Sequence, residues 1–291
     1  MRIPVTAATR SPSLPARSGA IDPRPGAYRP RDWPWAGRHA QTISRSKVLG
    51  IECFSGDLRT AAGLIVTRAR SRAGGYACFA NVHVLVTAQH DERLTRALTA
   101  AWMVFPDGAP VAWLQRRTSS AAAARTAGPD LMPLVIESGL STGVRHFFLG
   151  STEAVLETLC GLIERTYPGV RIAGSYSPSA QEVDTDDPSP IERVRATDPD
   201  IVWCAFGAPR QELWMSRHAH ALSPGVLVGV GAAFDFITGA KPRAPSWVQR
   251  HGFEWLHRFA HEPRRLGRRY LQTNSEFIVR ALAQLAAGRL R

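Results

Sequence analysis

Short apolar runs alternate with amphipathic helical stretches along residues 48–237, and this alternation constrains the fold more than any other feature of the chain. The runs at 76–80, 102–105 and 200–206 have the length of buried strands, and each is followed by a turn signal and a helical pattern. Strands that alternate with helices form right-handed βαβ units around a parallel sheet. The sequence therefore predicts an α/β protein with a mostly parallel sheet flanked by helices.

Other stretches give more local predictions. Residues 48–53 are predicted to form one strand, and Asp57 and Asp91 are each placed to cap the start of a helix. Residues 153–166 show a helical apolar stripe. Residues 177–190 are polar and rich in proline, which predicts a loop.

Charge divides the chain into three parts. The net charge of +12 arises from about +7 in residues 1–50, −3 in 51–240 and +8 in 241–291. Residues 1–46 hold seven prolines and no apolar periodicity, so we expect a disordered extension there. Residues 47–240 are expected to form the α/β core, and 241–291 a helical, arginine-rich appendage.

The appendage allows three interpretations. Helices with aromatic and arginine-rich sides can lie on an anionic membrane surface, or they can simply pack on a core with a solvated arginine face. Nucleic-acid binding ranks last, because the sequence contains no recognised nucleic-acid module. No run approaches a transmembrane span and no apolar signal core is present, so we expect a cytoplasmic protein, soluble or peripheral on a membrane.

Metal and redox motifs are not evident in the sequence. The four cysteines have no zinc or redox spacing and are predicted to be buried free thiols. The acidic run at 184–187 imitates the D-x-D sequence of metal-dependent sugar transferases, but no predicted strand leads into it. We interpret it as a solvated acidic loop, with metal ligation as the minority interpretation, and we predict neither a metal nor a cofactor.

Four positions are expected to meet at one edge of the sheet. Asn81, Asp107, Gly150 and Gly207 each come at the end of a predicted strand, and in a parallel sheet these ends share one edge. The Pro106-Asp107-Gly108 sequence by itself is more typical of a simple turn. Gly150 is as consistent with a sharp turn as with a phosphate contact, and Gly207 also lies at a turn into a helix. Together the four positions predict a crevice for a phosphorylated ligand such as a nucleotide.

The run FGAPRQE at 206–212 adds polar groups to this crevice. Arg210 can reach an anion, and Gln211 lies at a helix start that faces the crevice. The alternative is that Gln211 and Glu212 are polar first-turn residues that suit the helix dipole. The run FFLGST at 147–152 lacks the G-x-G-x-x-G fingerprint, so we disfavour an NAD enzyme.

Several motifs occur in a linked order from about residue 48 to 271. They are ANVHVLV, FPDGAPV, AGPDLM, FFLGST, FGAPRQE, GVGAAFDFITG, RAPSWVQRHGFEWLHR and EPRRLGRRYL. This series resembles the WecG/TagA/CpsF family of bacterial glycosyltransferases. The resemblance implies a Rossmann-like core with a C-terminal appendage that supplies arginines to the active site and contacts the membrane.

The implied activity is a metal-independent, inverting sugar transfer from a UDP-sugar to a polyprenyl-diphosphate-linked acceptor. It would take place at the inner face of the cytoplasmic membrane, in the synthesis of exopolysaccharide or another cell-surface glycan. The sequence leaves open the sugar, the acceptor glycolipid and whether the chain forms a homo-oligomer. The alternative function is a non-catalytic module that binds a nucleotide or an anionic lipid.

The resemblance also assigns residues. Asp107 corresponds to the proposed general base, and Asn81 and Gln211 to its neighbours in the site. The substrate-binding arginines that the resemblance implies are Arg125, Arg258, Arg265 and Arg268. Two departures stand out: Phe79 replaces a common Thr, which removes a hydroxyl from the crevice, and Arg210 replaces a common Lys, which keeps the charge.

Overall fold

The computed structural model of the chain describes residues 43–119, 123–185, 187–245, 248, 256, 259 and 263–289, the last range with side chains from 272 to 287. The strands in these ranges are β1 (Arg45–Val48), β2 (Ile51–Phe54), β3 (Tyr76–Ala80), β4 (Met103–Pro106), β5 (Arg145–Gly150), β6 (Arg171–Tyr176), β7 (Ile201–Ala205) and β8 (Val226–Gly229). The helices are α1 (Leu58–Arg70), α2 (Val82–Ala88), α3 (Glu92–Ala100), α4 (Ala109–Thr118), α5 (Gly128–Gly139), α6 (Glu153–Thr166), α7 (Ala180–Asp184), α8 (Ser189–Arg195), α9 (Arg210–His218), α10 (Ala233–Ile237) and α11 (Pro263–Arg289).

Six strands form one parallel sheet in the order β4-β3-β8-β7-β5-β6. Every pairing in it is parallel. One apolar layer, with α2, α3 and α9, covers one face of this sheet, and a second layer, with α1, α5 and α6, covers the other. The predicted Rossmann-like α/β class, with its mostly parallel sheet between helices, is therefore confirmed.

Local sequence explains why individual elements form. The side chain of Thr152 accepts a hydrogen bond from the backbone N–H of Val155 and so caps α6. Leu156, Leu159 and Ile163 then form its buried stripe at helical spacing. Each such side chain contributes roughly 1.5–3 kcal/mol when fully buried, so packing on the sheet fixes the orientation of the helix.

Two predicted boundaries are wrong. Residues 48–53 are not one strand: β1 and β2 form an antiparallel hairpin, and the chain reverses at Leu49 and Gly50, both with positive φ. Residues 177–190 are not a loop, because α7 and the start of α8 lie there. Ser179 and Glu182 form a capping box that starts α7.

The structure describes little of the predicted N-terminal extension and part of the C-terminal segment. Residues 1–42 of the predicted N-terminal extension lie outside the described residues, and its last two residues, 45 and 46, belong to β1 rather than to a disordered segment. At the other end, α11 packs on the core through Phe277 and Ala281. Gln284 reinforces this contact by donating to the carbonyl of Lys47 at 2.8 Å. Within the part of the chain that the structure describes, no helix has the length and apolar character to cross a membrane.

Candidate active site

A pocket of about 1030 Å³ opens at the carboxyl edge of the parallel sheet. This is the edge where open α/β sheets bind ligands, and the volume is at the upper end of the range for small-molecule sites. Its charged side chains are Arg93, Asp107, Arg125, Asp184, Arg210, Arg217, Asp235 and Lys241. Cationic groups outnumber carboxylates among them. The pocket therefore suits an anionic ligand, and it places carboxylates beside that ligand.

Asp107 lies on a turn that the neighbouring elements hold in place. Its backbone N–H donates to the carbonyl of Ala80 at the end of β3, at 3.0 Å. The preceding carbonyl, of Pro106, accepts from the N–H of Thr126 at 2.8 Å. Gly108 follows with φ of 103°, a conformation that favours glycine, and starts α4. The carboxylate thus lines the pocket on a backbone fixed from two sides.

Asn81 follows the adjacent strand and lines the same pocket. Its side-chain oxygen accepts from the N–H of Val84 at 3.1 Å and caps α2. This bond fixes the carboxamide, and the Nδ2 group makes no hydrogen bond within the described residues. Asn81 can therefore present a donor to a ligand.

Phe79 also lines the pocket, although only 5% of the residue is exposed. Its ring lies 5.4 Å from that of Phe105, measured between centroids. The aromatic pair joins β3 to β4 below Asn81 and Asp107. The pocket wall is therefore apolar at Phe79.

The two predicted glycines differ in their placement. Gly207 lines the pocket with φ of 78°. Gly150 is not part of the lining, and its backbone passes so close to β7 that a Cβ would lie 2.8 Å from the carbonyl oxygen of Ala205. Ser151 and Thr152, which follow it, line the pocket instead. Gly150 therefore permits the close approach that brings these hydroxyls to the sheet edge.

Both predicted arginines of the core line the pocket and pair with carboxylates. Arg210 binds Asp184 through two contacts, Nε to Oδ1 at 2.7 Å and Nη2 to Oδ2 at 2.9 Å. Arg125 Nη1 lies 3.3 Å from Asp130 Oδ2. The other oxygen of Asp130 lies 2.7 Å from Arg243 Nη2. Asp130 thus connects a pocket arginine with the beginning of the C-terminal segment.

Gln211 is nearly buried and uses both ends of its amide inside the protein. Its oxygen accepts from the N–H of Gly231 at 3.0 Å, and its Nε2 donates to the carbonyl of Gly229 at 3.1 Å. Nε2 also donates to Glu212 Oε1 at 2.8 Å. These three hydrogen bonds hold the turn after β8 against the start of α9, at the floor of the pocket.

Asp235 and Lys241 are two pocket residues that the sequence motifs do not point to. In the structure, Lys241 Nζ lies 2.5 Å from Asp235 Oδ2, and Ser151 donates to Asp235 Oδ1 at 3.1 Å. All three residues line the pocket. A single acid inside the apolar run GAAFDFI is the signal that could have identified Asp235.

The structure does not describe the side chains of the three arginines predicted in the appendage. Arg258 lies outside the described residues, and so do the side chains of Arg265 and Arg268 in α11.

In the acidic run at 184–187, Asp184 pairs with Arg210, and Asp186 lies outside the described residues. The described residues contain no group of three or more His, Cys, Asp or Glu side chains that could hold a metal ion.

The chain matches one family model and is similar to three relatives of known name. The model of the "Glycosyl transferase WecG/TagA/CpsF family" matches residues 46–291. The chain is 30% identical over 195 residues to the N-acetylglucosaminyldiphosphoundecaprenol N-acetyl-beta-D-mannosaminyltransferase of Bacillus spizizenii, covering 66% of this chain and 73% of that protein. Proteins of the same name from Bacillus subtilis (28% over 183 residues, 63% and 70% coverage) and Staphylococcus aureus strain MW2 (26% over 189 residues, 65% and 73% coverage) are also similar.

Proposed function

The chain belongs to the WecG/TagA/CpsF family of glycosyltransferases, and we propose that it transfers a sugar from a UDP-sugar to a polyprenyl-diphosphate-linked acceptor sugar. The names of its relatives support this acceptor class and make N-acetylmannosamine the first donor sugar to test. The observation that carries the proposal is a single pocket in which the carboxylate of Asp107 and the guanidinium groups of Arg125 and Arg210 lie together.

In the proposed reaction Asp107 acts as general base. Its carboxylate takes the proton of the acceptor hydroxyl while that oxygen forms a bond to the anomeric carbon of the donor sugar. The bond between this carbon and the diphosphate oxygen breaks on the opposite side, and UDP leaves with the electron pair. A single displacement of this kind inverts the anomeric configuration. Asn81 lies on the adjacent strand end and offers its Nδ2 group to a substrate oxygen.

The departing diphosphate needs compensation for its growing negative charge. Arg125 and Arg210 can supply it from the core, since guanidinium binds phosphate oxygens in two-point geometry. The N-terminus of α9, which follows Gly207, adds a favourable dipole. We further propose that Arg258, Arg265 and Arg268 complete this charge from the appendage, so that the reaction requires no metal. Gln211 holds the pocket floor on which these groups depend.

The proposed location is the inner face of the cytoplasmic membrane, where residues 241–291 would contact anionic lipid. The net charge of this segment, about +8, favours such a surface. On α11, Ile278, Val279 and Leu282 are exposed, which suits contact with an apolar or interfacial environment. The appendage would then contact the membrane and also supply its arginines to the pocket of the core.

A donor panel tests the proposal. The full chain is incubated with a polyprenyl-diphosphate GlcNAc acceptor and, in turn, UDP-linked N-acetylmannosamine, glucose and glucuronic acid, and the lipid product is measured. We expect one donor to give a β-linked disaccharide lipid. Tight UDP binding without turnover of any donor contradicts the proposal and favours a non-catalytic nucleotide-binding module.

A further inference from the structure

Glu212 is a buried acidic residue for which the proposed chemistry has no role. It lies in the first turn of α9 and has no exposed surface. Its Oε2 atom is buried and has no hydrogen-bond partner within the described ranges. Burying a carboxylate without full compensation is costly, and such groups tend to occur where a protein needs them for function.

The partner of its other oxygen connects Glu212 to the pocket. Glu212 Oε1 accepts from Gln211 Nε2, and the same amide bonds to Gly229 and Gly231. Both glycines and Gln211 line the pocket, whereas Glu212 lies behind them. A hydrogen-bonded chain therefore runs from a buried carboxylate to the backbone of the pocket floor.

The surroundings of Glu212 make its ionisation state variable. Burial raises the pKa of its carboxyl group to about 7, and the hydrogen bond from Gln211 opposes this rise. The titratable groups that interact with it are the buried thiols of Cys78 on β3 and Cys204 on β7, whose pKa values are raised by burial. Arg93 of α3 and Asp184 of α7, two helices that also pack on α9, lie at the pocket surface.

We propose that Glu212 is a positioning residue for sugar transfer: it fixes the amide of Gln211 and, through it, the turn of residues 229–231 at the pocket floor. The inference rests on the proposed function. An ionised carboxylate accepts a stronger hydrogen bond from Nε2 than a protonated one does. Ionisation of Glu212 should therefore tighten the floor, and kcat should rise with pH through the range in which Glu212 titrates.

Two substitutions separate positioning from a merely structural role. Glu212→Gln keeps the size of the side chain and an oxygen acceptor for Gln211, but it cannot ionise. Glu212→Leu removes the acceptor. Glu157→Gln, at an exposed position on α6, is the matched control. Each full-length variant is measured for kcat and donor KM between pH 5.5 and 8.5, and for hydrogen exchange of the peptide that contains Gly231.

We expect Glu212→Leu to lower kcat by about tenfold or more, the scale of one lost charge-assisted hydrogen bond, and to speed exchange at Gly231. Glu212→Gln should keep most of the kcat at pH 6 and lose the rise with pH, and the control should match wild type. Unchanged exchange at Gly231 in Glu212→Leu, or a normal pH profile in Glu212→Gln, overturns the inference. If the wild type transfers no sugar, the proposed function fails, and hydrogen exchange alone decides whether Glu212 positions the floor.

Discussion

Asp184 holds Arg210 in a two-point ion pair at the pocket, with Nε–Oδ1 and Nη2–Oδ2 distances of 2.7 and 2.9 Å. Asp184 is the first residue of the acidic run that resembles a metal-binding D-x-D sequence. In the structure this carboxylate lies against a guanidinium, and so it competes with any diphosphate for Arg210. The pair therefore has consequences for both nucleotide affinity and metal dependence.

Asp184→Asn is expected to strengthen UDP binding. The substitution releases Arg210 for the diphosphate, and the gain in affinity should be up to about fivefold, since an exposed ion pair contributes about 0.2–1 kcal/mol. Titration calorimetry with UDP measures it, and Glu157→Gln serves again as the control. A clear loss of affinity in Asp184→Asn would mean that this carboxylate assists binding, contrary to our interpretation.

Sugar transfer is expected to survive EDTA. In the proposed mechanism arginine side chains compensate the leaving diphosphate, so chelation should change the initial rate by less than about twofold, a negligible difference in barrier. The assay compares rates with EDTA and with added Mg²⁺ or Mn²⁺. If EDTA abolishes activity and a divalent ion restores it, the prediction is wrong, and residues 184–187 become candidate metal ligands.

Asp130 is expected to matter for donor binding because it lies between Arg125 and Arg243. The side chain of Asp130 is less exposed than that of Asp184, 25% against 52%, so we expect Asp130 to fix its arginines rather than to compete with a ligand for them. Asp130→Asn removes the charge that holds both guanidinium groups, and we expect donor KM to rise by about tenfold, within the energy of one charge-assisted hydrogen bond. Asp198→Asn is a matched control, since Asp198 pairs with Arg72 away from the pocket, at 2.7 Å. An equal effect of both substitutions on KM would contradict a specific role for Asp130.

Glu212 should make the protein less stable as pH rises. Its pKa is about 7 in the folded chain against an ordinary value of 4.5, so the folded state binds more proton between these values. Stability from this group therefore falls from about pH 4.5 to about pH 7 and stays low above it. Glu212→Gln should recover up to roughly 3 kcal/mol at pH 8 relative to pH 5. Urea unfolding at both pH values tests this, and a constant difference between variant and wild type would refute it.

The fold was largely predictable because periodicity dominated most elements. The run 76–80 is a buried strand between a glycine pair and the capping Asn81, and its predicted bounds coincide with β3. The hairpin at Leu49 and Gly50 was not predicted: glycine is a turn residue, but leucine, which here has a φ of 48°, is not typical of this conformation. Residues 177–190 were predicted as a loop because of their proline and serine content. The sequence does contain the capping-box residues Ser179 and Glu182, which indicate the start of a helix.

The site residues that follow the ends of strands could be predicted from the sequence. The parallel arrangement alone brings Asn81, Asp107 and Gly207 to one edge. Pairings between residues distant in sequence were not predictable, because Asp184–Arg210 and Asp130–Arg243 depend on how helices and loops pack over that edge. The hydrogen bonds of the buried Gln211 amide were likewise not predictable, since two of its three partners are backbone groups of β8 and the turn after it.

The central claim is that Asp107 is the general base, and Asp107→Asn tests it most directly. The substitution keeps the shape of the side chain and removes its basicity, and a general base contributes about 10²–10⁴-fold to the rate. We expect transfer to the lipid acceptor to fall by this factor, while the Kd for UDP and the unfolding midpoint stay at wild-type values. Transfer at a wild-type rate, or a loss of activity matched by a loss of folded protein, would contradict the assignment.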